Sequence, residues 1–174
     1  MRTFTAPRFA TSSAIWTLVL ILLIAPRYLP AMEDNEQPLY LEADSAEISE
    51  AKAVSIYTGN VLVRQDDMQL RGDRVTVHHD SEHNPVIIRV TGTPATYRQR
   101  MERDAQDVEA EARHMEYDRA KDEITLIDQV VLSQGKDTFR SDRIVYDRAQ
   151  ARVKAGTIAA GKERVKIRIS PAHR

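Results

Sequence analysis

From residue 38 onward apolar and polar positions alternate with a period of two, and β-branched residues crowd the apolar positions, which predicts half-buried strands. Leu39, Leu41 and Ala43 alternate with Tyr40, Glu42 and Asp44; further on, Val61 and Val63 flank Leu62, and Val75 and Val77 flank Thr76. Asp66-Asp67 and residues 80–85 interrupt this pattern with turn-forming residues. They predict hairpins joining 61–63 to 68–70 and 75–77 to 86–90. Thr58-Gly59-Asn60-Val61 carries a common hairpin signature, and Gly92-Thr93-Pro94 predicts another break. Residues 98–107 are strongly charged without an apolar stripe, so a solvated loop is expected there rather than a helix. Near the end Val165, Ile167 and Ile169 alternate with Lys166 and Arg168, which predicts a last strand with one apolar and one basic face.

An internal repeat organises these strands. Residues 42–78 align without a gap onto 111–147 at an offset of 69, with ten identities that include Glu42/Glu111, Ala43/Ala112, Lys52/Lys121, Val61/Val130, Arg71/Arg140 and Arg74/Arg143. A multi-strand unit stacked on its own copy predicts an all-β fold, an elongated, twisted antiparallel β-jelly-roll or slender sandwich, apolar inside and solvated outside.

The length of 174 residues fits one domain. Residues 1–31 have the features of a cleavable signal peptide: Arg2 and Arg8 at the start, an apolar run over 14–25 broken at Thr17, and Leu29-Pro30-Ala31 as an exit. Cleavage after Ala31 leaves a single domain over 32–174. The alternative is an uncleaved anchor, although the run is shorter than the ~20 residues a spanning helix requires. Removing 1–31 takes away Arg2, Arg8 and Arg27 and no acid, so 22 basic residues face 26 acidic ones. These charges are interspersed along the chain, and without a clustered basic face no nucleic acid partner is expected.

The chain has no cysteine, which excludes disulfides and thiolate metal sites. It carries no Gly-rich phosphate loop, G-x-S-x-G or H-E-x-x-H motif, so neither a cofactor nor a catalytic residue is assigned and no enzyme is expected. Acid pairs such as Asp66-Asp67 and Glu109/Glu111 are too numerous to single out a general acid and base. His78, His79, Asp80 and His83 form the one cluster with zinc-binding chemistry, but in a predicted hairpin loop they fit a solvated turn better.

Strand parity turns one set of side chains inward: Leu39, Leu41, Tyr57, Val61, Val63, Leu70, Val75, Ile88 and Tyr97 in the first half, and Tyr117, Leu126, Val130, Leu132, Phe139 and Ile144 in the second. Such a set either packs a closed core or lines a groove for apolar chains. Acyl burial yields roughly 0.8 kcal/mol per methylene, so a groove of this composition is a feasible lipid site. The edge strands near Leu39 and Ile167 offer unpaired backbone groups that another copy can extend. Lys166, Arg168 and Arg164 suit either phosphate contacts or ordinary edge-strand charge.

The ordered series Gln37-Pro38-Leu39-Tyr40-Leu41-Glu42-Ala43-Asp44, Thr58-Gly59-Asn60-Val61-Leu62-Val63-Arg64-Gln65, Gly72-Asp73-Arg74-Val75, Gly92-Thr93-Pro94-Ala95-Thr96-Tyr97, Met115-Glu116-Tyr117 and Ala120-Lys121-Asp122 resembles the LptA (OstA-like) family of periplasmic lipopolysaccharide-transport proteins. The resemblance covers roughly residues 37–148 and fades in the tail. It implies a β-jelly-roll with a continuous apolar interior that holds lipid A acyl chains, and head-to-tail joining of copies. It also implies inner-membrane LptC-like and outer-membrane LptD-like jelly-roll partners in a bridge across the periplasm. The competing readings are a membrane-anchored LptC-like component, a secreted jelly-roll lectin or structural module, and, last, a glycan-cleaving enzyme. A lectin is disfavoured because the one tryptophan, Trp16, lies in the leader.

Overall fold

A computed structural model describes residues 37–101, 106–156 and 164–171. The expected signal peptide and the centre of the expected charged loop lie outside the described residues. Among the described residues ten strands follow one another: β1 (Tyr40–Glu42), β2 (Ser45–Ser49), β3 (Val54–Gln65), β4 (Met68–His79), β5 (Pro85–Gln99), β6 (Val108–Asp118), β7 (Glu123–Gln134), β8 (Asp137–Asp147), β9 (Arg152–Ala155) and β10 (Lys166–Arg168). They form one antiparallel sheet in which β1 and β2 share β3 as neighbour, β9 and β10 share β8, and the strands between pair in chain order.

The register slips near the middle of every long pairing: between Thr58 and Val61, Arg71 and Arg74, Thr91 and Ala95, Glu111 and His114, and Ile127 and Val130. Bulges bend a strand and increase its twist. Aligned across the sheet, they make a fold line that divides it into two layers. The first layer holds β1, the 61–72 side of β3 and β4, the 95–112 side of β5 and β6, the 130–141 side of β7 and β8, and β10. The second holds β2, β9 and the remaining halves. The layers meet face to face: the Tyr97 ring of the first packs edge-on against Tyr146 of the second, with centroids 6.2 Å apart and planes at 62°.

Local chemistry accounts for the fold line. Gly59 and Asn60 have φ of 84° and 46°, and Asp128 and Gln129 have 63° and 57°, the left-handed region in which Gly, Asn and Asp are tolerated best. Asp44, in the gap between β1 and β2, accepts 2.8 Å from the Asn60 side chain, and Arg113 donates 3.0 Å to Gln129, so each kink is held from the neighbouring strand. A Cβ on Gly72 would come 2.6 Å from the Thr91 carbonyl oxygen, so only glycine permits that approach of β4 to β5.

Two expectations are corrected here. Gly59-Asn60 is a kink inside β3 rather than a hairpin, and Gly92-Thr93-Pro94 is a bulge inside β5 rather than a break between strands. Both carry turn residues because a fold line requires positive φ or a bulge as a turn does. Arg98 and Gln99 also belong to β5, and Asp107 closes back on the strand through Arg98 at 3.0 Å and the Met101 amide at 3.2 Å. The hairpins at Asp66-Asp67 and 80–84 form as expected.

The repeat maps onto the strands residue for residue. β3 and β7 share their limits at an offset of 69, β4 and β8 their first residue, and the slip 58/61 in β3 recurs as 127/130 in β7. β6 stands where β1 and β2 stand in the first copy. β9 and β10 together line β8 as β5 lines β4.

Candidate functional site

Antiparallel register sets the inward side chains in rungs that cross the whole sheet. In the first layer one rung runs Leu41, Val63, Leu70, Tyr97, Ala110, Leu132, Phe139 and Ile167. In the second layer another runs Ala46, Tyr57, Val75, Val90, Met115, Leu126, Ile144 and Ala155. At the fold line they are joined by small or β-branched residues, Val61, Ala95, Ala112, Val130 and Ser141. The result is an apolar interior continuous from the β1/β2 edge to the β9/β10 edge.

All fifteen residues expected to face inward do so. Val61, Val63, Leu70, Val75, Ile88, Tyr97, Tyr117, Leu126, Val130, Leu132 and Ile144 are buried, while Leu39, Leu41, Tyr57 and Phe139 are partly buried against them. Sequence parity missed Met68, Val77, Val90, Val108, Met115, Ile124 and Tyr146, which belong to the same interior. Most of these share the parity of an expected neighbour, as Val90 does with Ile88 and Tyr146 with Ile144, whereas Val108 lies across a bulge from Tyr117. In β4, β5, β6 and β8 the inward parity reverses at the fold line, from Leu70 to Val75, for example, so one period-two frame cannot follow the whole strand.

Exposure rises toward the two edges. Ile48 continues a second-layer rung and Ile167 a first-layer rung, yet they are 68% and 55% exposed. The layers are staggered, which accounts for this. First-layer Tyr97 on β5 faces second-layer Tyr146 on β8, and the β3–β4 turn faces the end of β8. The second layer is therefore left uncovered near β2, and the first near β10.

The rims opposite the fold line are bridged by a polar network. The Tyr97 hydroxyl donates 3.0 Å to Gln99, and Gln99 donates 2.7 Å to Asp67. Arg148 donates 2.7 Å to the second Asp67 oxygen, 2.5 Å to Asp122 and 3.0 Å to the Tyr117 hydroxyl, and its guanidinium lies 5.5 Å from the Tyr117 ring centre. Burial disfavours the Arg148 charge, but Tyr97, Tyr117 and the Asp122 and Asp67 carboxylates around it more than offset that and raise its pKa. Burial pushes the Tyr117 hydroxyl up to about 12, against the pull of Arg148, and raises Tyr97 and Tyr146 as well. No local sequence signal marks this network, because Asp67 and Arg148 lie 81 residues apart.

The histidine cluster is a structured turn. Asp80 accepts from the backbone amides of Asn84 and Glu82 at 2.9 and 2.8 Å, which hold its carboxyl below the usual range. His79 bonds the Ser55 hydroxyl and the His83 carbonyl. Among the described residues no three His, Cys, Asp or Glu side chains are grouped to hold a metal ion. A cleft of about 450 Å³ near the β3–β4 turn mixes the charged side chains Arg64, Asp66, Asp67, Arg98 and Arg100 with Met68 and Met101.

Comparison with known proteins agrees with this architecture. Residues 40–152 match the family described as LptA/(LptD N-terminal domain) LPS transport protein. The lipopolysaccharide export system protein LptH of Pseudomonas aeruginosa is 34% identical over 123 residues, covering 71% of this chain and 70% of that protein. The lipopolysaccharide export system protein LptA of Escherichia coli is 31% identical over 143 residues, covering 80% and 77%. The crystal structure of LptH from Pseudomonas aeruginosa, described as the LptA-homologous periplasmic component of the lipopolysaccharide transport device, superposes with a TM-score of 0.71 at 31% identity. That match covers 78% of this chain and 97% of the other. A folded antiparallel sheet with an unbroken apolar interior, matched over most of its length by family and structure alike, places this chain in the LptA/LptD N-terminal family of lipopolysaccharide transport proteins.

Proposed function

We propose that this chain is a periplasmic, non-enzymatic carrier that holds the acyl chains of lipopolysaccharide between its two layers. The observation that carries the reading is the apolar interior that runs across every strand from one open edge to the other. A lipid needs such a lining because each methylene moved out of water is worth roughly 0.8 kcal/mol, while directional polar contacts inside would fix it in one place. No described helix is long and apolar enough to cross a membrane. Residues 1–31 act in this reading as a secretory leader removed after Ala31.

The stagger supports end-to-end assembly. Uncovered second-layer surface near Ile48 and uncovered first-layer surface near Ile167 are complementary in kind, and β1 and β10 lie at opposite ends of the strand order. Further copies, and LptC-like and LptD-like jelly rolls at the inner and outer membranes, extend the sheet and its interior at these edges.

A photo-crosslinking residue at position 97, with position 42 as control, tests the reading. Tyr97 is buried, and Glu42 is exposed beside Arg64. Lipopolysaccharide is expected to label from position 97 alone. No binding, or equal labelling from both positions, would overturn the carrier function.

A further inference from the structure

Resting on the carrier reading, we propose that Arg148, Asp67 and Asp122 form a clasp across the mouth of the two layers, and that this clasp gates the passage of lipid. Arg148 sits just beyond β8 in the second layer, beside Asp122 in the β6–β7 turn and Tyr117 on β6. Asp67 lies across the mouth in the β3–β4 turn, tied by Gln99 to Tyr97 in the first layer. The Arg148–Asp67 contact thus joins the layers on the side opposite the fold line. The other ion pairs among the described residues join neighbouring strands or residues of one turn, as Arg89 does with Glu116 and Lys121 with Asp118.

The position matters because of what an amphiphile must do. Its acyl chains lie between the layers while its sugar head stays in water, so its neck crosses the plane of the mouth. Whether such a molecule enters sideways or slides along the interior, a side chain bonded across the mouth stands in its way. Opening need not unfold the protein. The two layers are joined through bulges in every long pairing, and rotation about that line separates the rims while leaving strand pairing intact.

The clasp is also built to open. Its carboxylates remain in touch with water, Asp67 at 28% and Asp122 at 39% side-chain exposure, so each regains hydration when Arg148 lets go. In the closed arrangement the Arg148 Nε and the Tyr146 hydroxyl at this rim, like the Gln65 Oε1 at the end of β3, are buried without a hydrogen-bond partner. The closed arrangement is therefore not one in which every rim donor is paired, and an opened rim exposes the Arg148 and Tyr146 groups to water or to the polar neck of a guest.

The absence of cysteine lets the clasp be replaced by a reversible one. In the full chain carrying Asp67→Cys and Arg148→Cys, the unbridged form is expected to take up labelled lipopolysaccharide faster than wild type. A short reducible bis-thiol bridge should slow uptake roughly tenfold or more, because a locked-closed state removes the binding-competent fraction, and reductant should restore the rate. The same reagent across Glu42→Cys and Arg64→Cys, an outer-face pair, should leave the rate unchanged. The isosteric pair Asp67→Asn and Asp122→Asn keeps the packing and should raise the uptake rate. Uptake by the bridged form as fast as by the unbridged form would overturn the gate and leave the carrier function standing. Failure of wild type itself to bind lipopolysaccharide would overturn both.

Discussion

The two copies of the repeat differ in side-chain chemistry at a place where their backbones coincide. The His79 amide donates 2.9 Å to the Ala53 carbonyl, and 69 positions later the Arg148 amide donates 3.0 Å to Asp122. Ala53 and Asp122 share a φ of 49°. One scaffold thus holds a histidine over an alanine in the first copy and the clasp arginine over an aspartate in the second. Burial differs just as consistently. Tyr57 in the second layer is half-buried while its counterpart Leu126 is fully buried; in the first layer the order reverses, with Leu70 fully buried and its counterpart Phe139 half-buried. A staggered pair of layers accounts for the reversal: each copy is covered in one layer and overhangs in the other.

Truncation tests that stagger with the largest effect. Leu126→Ala and Leu70→Ala remove side chains sealed on all sides, and each is expected to cost about 3 kcal/mol in urea unfolding. Tyr57→Ala and Phe139→Ala remove side chains that already touch water, and roughly 1 kcal/mol each is expected on area alone. Equal losses within each pair would show that the overhangs are covered in the isolated chain. Addition of a second copy that caps them should raise the cost at Tyr57 and Phe139 while leaving the other two positions unchanged.

The strands and their inner face were legible because alternation is a local signal, and the repeat was legible because both copies keep the residues that set strand ends and kinks. Three things were not. The fold line was hidden because Gly59-Asn60 and Gly92-Pro94 signal positive φ or a bulge without saying whether the chain reverses or only bends. Val108 was missed because the parity of β6 flips between it and Tyr117, the one residue of that strand expected to face inward. The clasp was hidden because Asp67 is one of 26 acids and its partner is distant in sequence.

An intermediate effect is expected at alkaline pH and separates the copies chemically. Tyr117 and Tyr146 are buried phenols in the second copy, whose counterparts in the first are Ile48 and Val77. Burial raises both, Tyr117 to about 12. A group whose pKa rises on folding contributes stability that is complete below its unfolded value near 10 and is lost as pH climbs through the folded value. The melting temperature should therefore hold steady up to about pH 10 and fall toward pH 12. Tyr146→Phe should flatten part of that fall at little cost, because the Tyr146 hydroxyl has no hydrogen-bond partner to lose. An unchanged profile would place the alkaline sensitivity elsewhere.

The smallest effect is expected at the fold line, where the copies solve one geometric problem with different residues. The first copy places Gly59 at φ 84° and the second places Asp128 at 63°. Glycine adopts this region freely, whereas an aspartate there carries a modest steric cost. Asp128→Gly should therefore stabilise the protein by about 0.5 kcal/mol, even though it removes the exposed 3.3 Å contact with His114. The reciprocal change does not behave symmetrically. A Cβ at Gly59 would lie 2.3 Å from the Asp44 carboxylate oxygen, the group that holds the kink through Asn60. Gly59→Ala should destabilise while Asp128→Gly stabilises, a pair of opposite signs readable by thermal melting. If both destabilise, the Asp128 carboxylate supports the second kink as Asp44 supports the first, and the two copies are closer in chemistry at the fold line than at the rim.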